Sequence, residues 1–112
     1  MLFRWLTVLG LLISGLPVLA LEDREVFENN CASCHGRDGA ARTAQGKKMK
    51  AHDLRESKLT DAEIERQVRE GSKKKTGLSV MPPVGKDFTD AEMQAVIRVV
   101  KAFRSATATR GP

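Results

Sequence analysis

Two thiols and an imidazole stand together at Cys31-Ala32-Ser33-Cys34-His35, and the chain has no other cysteine. This C-x-x-C-H spacing is the signature of covalent haem attachment. The thiols add across the vinyl groups of haem to form thioethers, and His35 offers a ring nitrogen to the iron. On a helix, Cys31, Cys34 and His35 fall at i, i+3 and i+4, so one face presents all three to a flat macrocycle. Other uses of the pattern fit less well. A redox disulfide of the thioredoxin kind needs a βαβ context, and no strand pattern surrounds residue 31. A zinc site needs about four ligands. Cys31, Cys34, His35 and His52 supply that number, but adjacent Cys34 and His35 are badly placed to close one tetrahedron.

A haem iron bound by His35 has a second axial position to fill. Met49, Met81, Met93 and His52 are the candidates in residues 21–112. Met93 falls at the fourth position of a capped helix with an apolar face, where packing is its natural role. Met49 lies between Lys48 and Lys50, a short way beyond His35, and would have to bring its loop around the haem edge quickly. His52 reads as a solvated surface histidine. Met81 is followed by Pro82 and Pro83, which hold the backbone extended and bar a helix. A stiff extended loop can present a thioether and keep it there, and Met81 is far enough along the chain to reach the opposite haem face. The alternative for Met81 is to fill a gap in the core. Met81 is the preferred ligand.

The elements that must position these groups are helical. Leu21 to about His35 reads as a first helix that carries the motif. Gly36 to Gly46 reads as loop, and Lys47 to Lys58 as polar and irregular, with one short helical turn at most. Leu59-Thr60-Asp61-Ala62-Glu63-Ile64 and Phe88-Thr89-Asp90-Ala91-Glu92-Met93 share one helix-start device. In each, Thr caps the helix, Glu three residues later completes a capping box, and the flanking apolar pair forms a staple. The first of these helices runs to about Glu70, with Gly71 ending it. The second runs to about Phe103 or Arg104, with Val96, Val99, Val100 and Phe103 at helical spacing. The tail from Ser105 looks frayed. Between the two helices, Gly71 to Asp87 is long for a structureless connection, which favours a functional loop.

Residues 1–20 read as a cleaved secretory signal: Arg4, an apolar run from Trp5 to Leu16, Pro17, then Val18-Leu19-Ala20 before a cleavage site. The apolar run is short for a membrane span. Export suits the motif, because thiol chemistry of this kind belongs to compartments outside the cytosol. Residues 21–112 then form one small domain whose aromatic residues are Phe27, Phe88 and Phe103. So thin a core needs help, and a buried haem would supply a large apolar plate. The net charge is +5, or +4 without Arg4. That modest basicity does not argue for nucleic acid. Lys47, Lys48 and Lys50 cluster, as do Lys73, Lys74 and Lys75. These groups either steer acidic partners or solvate a surface.

Taken together, residues 31–39 and the segment Met81-Pro82-Pro83-Val84-Gly85 followed by Phe88-Thr89-Asp90-Ala91-Glu92 resemble a small bacterial monohaem class I cytochrome c. The resemblance covers essentially all of 21–112. It implies an all-α fold of three to five short helices around one covalently bound haem c. It also implies Cys31 and Cys34 as thioether anchors, His35 and Met81 as axial ligands, and crossed first and last helices. Phe27 matches the aromatic of the first helix. Val96 and Val99 match positions on the last, the second of which is often aromatic in the family. Many relatives have a proline after the motif, in the loop whose carbonyl accepts a hydrogen bond from the ligand histidine. Residues 36–59 contain no proline, so the partner of His35 is open at this point.

The expected function is that of a periplasmic, monomeric electron carrier that exchanges electrons with redox protein partners, has no substrate chemistry of its own, and neither binds nucleic acid nor stays inserted in a membrane. Two rivals stand beside it. One is a dedicated haem subunit of an exported dehydrogenase or oxidase; the other is a catalytic or gas-sensing haem protein with an open sixth site.

Overall fold

The computed structural model describes residues 18–72 and 81–109, with side chains for 21–72 and 81–106. Lys73, Lys74, Lys75 and most of the expected export segment lie outside the described residues. The backbone of residues 18–20 already belongs to the first helix, α1, Val18–Asn30. No helix among the described residues is long and apolar enough to cross a membrane.

The helix expected over residues 21–35 comes as two. After α1, Cys31 opens to φ −124°, and α2, Ala32–His35, follows. Just before the break the Asn30 side-chain amide turns back to donate to the Val26 carbonyl at 2.8 Å, the local competition that Asn offers a helix. The ladder nevertheless runs through: the Cys31 N–H donates to the Phe27 carbonyl at 2.7 Å and the His35 N–H to the Cys31 carbonyl at 2.9 Å. The stretch expected to be loop and irregular chain holds a further helix, α3, Ala44–Met49, and a 3-10 turn, Leu54–Glu56. Helix α4, Asp61–Glu70, begins with the expected capping box: Thr60 Oγ1 accepts from the Glu63 N–H at 3.2 Å, and the Glu63 carboxylate accepts from the Thr60 N–H at 2.7 Å. Helix α5, Asp90–Thr109, outlasts the expected end near residue 103. Nothing in 105–109 breaks a helix, and Arg104 anchors it, donating to the Ser57 and Leu59 carbonyls at 3.2 and 2.9 Å. The fold is all-α, with no strand among the described residues.

Helices α1 and α5 make the most extensive helix pair. Phe27, 1 % exposed, meets Phe103 edge-on with ring centroids 5.2 Å apart and planes at 71°, a favourable aromatic geometry. The aromatic that α5 brings to Phe27 is therefore Phe103, one turn beyond Val99, and the two valines pack as buried core. Met93 is fully buried, in keeping with a packing role. Asp23 completes the crossing. It is nearly covered, and its carboxylate accepts from Arg98 Nε and Nη2 at 2.7 and 2.9 Å.

The Arg98 hydrogen bonds hold the Asp23 carboxyl below its ordinary pKa, against the opposing effect of burial. A carboxylate depressed on folding stabilises the fold above its unfolded pKa, and loses that contribution as pH falls through the folded value. Asp23→Asn is therefore expected to melt lower than the parent at neutral pH. The gap should close as the solution is taken below about pH 4, the ordinary Asp range. Thermal melts of both proteins across that range check it.

Candidate functional site

Cys31 and Cys34 are free thiols. They open, with His35, onto a cavity of about 520 Å³ whose walls come from every part of the fold. Phe27 of α1, Ile64 and Val68 of α4, and Val96 and Val100 of α5 supply its apolar lining. Met49, His52 and Met81 line it too. The structure thus brings all four expected site residues to one cavity, and adds two of the three residues that ranked below Met81 as ligands, Met49 and His52, while Met93 lies in the core.

The imidazole is held by its backbone surroundings. His35 Nδ1 lies 3.0 Å from the His52 carbonyl oxygen. A carbonyl only accepts, so Nδ1 carries the proton and Nε2 keeps its lone pair. Burial lowers the His35 pKa, partly offset by that hydrogen bond, which favours a neutral ring at neutral pH. The proline-less loop therefore does supply a carbonyl partner, from residue 52. His52 itself is exposed, as expected, but its main chain has a task that side-chain reasoning cannot reveal. Burial pushes the Cys31 thiol up to about 12, with the Cys34 charge adding to the effect.

Helix α3 locks this arrangement. Thr43 caps it, accepting from the Gly46 N–H at 2.9 Å, while its hydroxyl hydrogen faces the Ser33 and Cys34 carbonyls at 2.8 and 3.0 Å. Gly46 is buried against α2, and a Cβ there would collide with the Cys34 carbonyl oxygen. At the other end of α3, Met49 Sδ lies 3.9 Å from Cys34 Sγ and 3.1 Å from Gln45 Nε2.

The Met81 side is built from α4. Met81 Sδ lies 3.7 Å from Gln67 Nε2. Beyond it the chain is tied back, with the Gly85 N–H donating to the Val68 carbonyl at 2.9 Å and Arg69 Nη1 to the Phe88 carbonyl at 3.1 Å. Gln67 is a site residue that the sequence reading missed. Its signal was a polar residue on the apolar face of α4, between Ile64 and Val68.

A model of the family described as cytochrome C oxidase, cbb3-type, subunit III matches residues 20–98. The chain belongs to this family. No solved structure gives a significant match. Family membership makes the protein a small c-type cytochrome, a haem protein of electron transfer, with covalently bound haem c as its implied cofactor. The residues present fit that group. An apolar cavity, two thiols, a neutral imidazole with Nε2 free and thioether sulfurs at the wall are the donors and surroundings that haem c requires. A closed metal-ion site is not built here: among the described residues no group of three or more His, Cys, Asp or Glu could hold a metal ion.

Gly46 provides a test of the scaffold. Alanine normally stabilises a helix interior relative to glycine by roughly 0.5–1 kcal/mol. Gly46→Ala is expected to reverse that sign and cost about 1–3 kcal/mol, the usual range for overpacking, in denaturant unfolding of the haem-loaded protein. A gain in stability would mean that α3 and α2 do not pack this closely.

Proposed function

We propose that Cys31 and Cys34 anchor one haem c by thioethers, that His35 Nε2 and Met81 Sδ are its two axial ligands, and that the protein is a dedicated electron carrier without substrate chemistry of its own. The observation that carries this reading is the bond from His35 Nδ1 to the His52 carbonyl. It selects the tautomer a metal-bound histidine needs and orients the ring, as second partners of metal-bound histidines generally do. Bound haem supplies one-electron chemistry between ferric and ferrous iron. The chain's contribution is to fill both axial positions, exclude water with the apolar lining, and so leave no coordination site for a substrate. Methionine ligation favours a high potential.

Localisation and partners follow the same reading. Residues 1–20 are a signal removed on export, the carrier works as a periplasmic monomer, and its contacts are brief and small in area. Lys47 and Lys48 are exposed on α3, and Lys50 stands at the cavity wall. The placement of Lys50 at the site favours the steering role over mere solvation, and an acidic docking face on the redox partner would complement it. A second reading draws on the family's description, which is that of an oxidase subunit: the same site would then serve one permanent partner. Native size measurement from the source membrane and soluble fractions separates the two. Free carriage predicts a particle of one small chain; co-elution with a larger oxidase selects the subunit.

Absorption spectra of the oxidised and reduced forms, with and without carbon monoxide, test the axial ligands. The parent is expected to give a low-spin reduced spectrum indifferent to the gas. Met81→Ala should bind the gas and show a lower potential, while Met49→Ala should do neither. The opposite pattern would transfer the ligand role to Met49, and gas binding by the parent would move catalysis or sensing ahead of electron carriage.

A further inference from the structure

Met81 is not carried by a helix. It starts the extended segment Met81-Pro82-Pro83, and the chain that enters it, residues 73–80, lies outside the described residues. What surrounds it is therefore informative. Ser72 and Met81 exchange two hydrogen bonds: the Ser72 N–H donates to the Met81 carbonyl at 2.9 Å, and the Met81 N–H donates to Ser72 Oγ at 2.8 Å. Gly71 makes the approach possible, because it ends α4 at φ 72° and a Cβ there would strike the Met81 carbonyl oxygen. One turn earlier on α4, Gln67 faces the cavity between buried Ile64 and Val68, with its amide nitrogen 3.7 Å from the Met81 sulfur.

We infer that Ser72 and Gln67 are positioning residues for the Met81 thioether, Ser72 holding its main chain and Gln67 directing its sulfur. The inference rests on Met81 being the axial ligand proposed above. A thioether sulfur has two lone pairs. With one given to iron, the other is free to accept the Gln67 N–H, which fixes the rotation about the Cγ–Sδ bond. The amide dipole then places its positive end beside the metal centre and favours the state of lower positive charge, the reduced one. The Gln45 contact to Met49 differs, being made within one helix and exposed, whereas the Gln67 contact joins α4 to a separate segment.

The test uses the haem-loaded full chain as Gln67→Leu, Ser72→Ala, Ser72→Thr and Met81→Ala. Imidazole binding to the oxidised form, reduction potential and deuterium exchange of the Met81 amide are measured on each. Gln67→Leu and Ser72→Ala are expected to bind imidazole about 2- to 10-fold more tightly than the parent, the weight of one neutral hydrogen bond. Gln67→Leu should also lower the potential. Ser72→Ala should speed exchange at the Met81 amide, and Ser72→Thr, which keeps the hydroxyl, should restore parental behaviour. Gln67→Asn, which only shortens the reach, replaces Gln67→Leu if the latter fails to fold. If Met81→Ala changes imidazole binding and potential while the Gln67 and Ser72 variants match the parent, Met81 is the ligand but these residues do not position it. If Met81→Ala itself changes neither, the ligand assignment fails and this inference goes with it.

Discussion

The His35 ring has two nitrogens, and one backbone carbonyl decides how they are used. The His52 oxygen accepts the hydrogen bond from Nδ1–H and leaves the Nε2 lone pair free for a metal. For that to work the carbonyl must stay where it is, and its neighbours on both sides are anchored. The Ala51 N–H donates to the Gly46 carbonyl at 2.9 Å and the Leu54 N–H to the Gly39 carbonyl at 2.8 Å. Asp53 caps the following 3-10 turn, accepting from the Arg55 N–H at 3.0 Å. The first of these anchors depends on α3, and α3 depends on Thr43 and on the bare backbone of Gly46 lying against Cys34. The loop between α2 and α4 is thus a frame around one imidazole, closed by hydrogen bonds within it and tied to α2 through Thr43 and to α5 through Arg104.

The second half of the structure is the α1–α5 crossing, and it cannot be separated from the site. Phe27 and Val96 are among its most buried side chains, and both also line the cavity. The residues that hold the helices together are therefore the residues that would face a porphyrin. In a domain with three phenylalanines after residue 20 and no other aromatic there, there is little interior to spare for a core distinct from the site. The Asp23–Arg98 pair adds a polar tie between the same two helices.

Much of this was legible in the sequence, and what was not has a common cause. The motif, the capping box at Thr60, the end of α4 at Gly71 and the core role of Met93 all rest on local rules that operate within a few residues. The break at Cys31 was missed because it depends on one backbone angle and on a back-bonded Asn30. Helix α3 was missed because its sequence, Ala-Gln-Gly-Lys-Lys-Met, has a central glycine and no apolar stripe. It is held by a cap and by contact with α2, not by propensity. The carbonyl of His52 carries no side-chain signal at all. Phe103 as the partner of Phe27, in place of an aromatic at 99, reflects where two helices happen to cross, which spacing along one helix does not reveal.

The two sides of the cavity are held by different means, and that difference bears on how such a centre behaves. His35 belongs to a helical turn that also contains both thiols, so covalent anchorage and imidazole placement share one short piece of chain. Its supporting bond comes from a loop that is closed upon α2 and α3. Met81 has no helix of its own. It depends on the end of α4, reaching it through Ser72, and on a weak amide–sulfur contact. Loss of one such bond costs only a fraction of what local unfolding of a helix costs. If His35 and Met81 are the ligands, movement of the polypeptide at the iron will begin on the methionine side. The histidine side then acts as the fixed reference against which the potential is set.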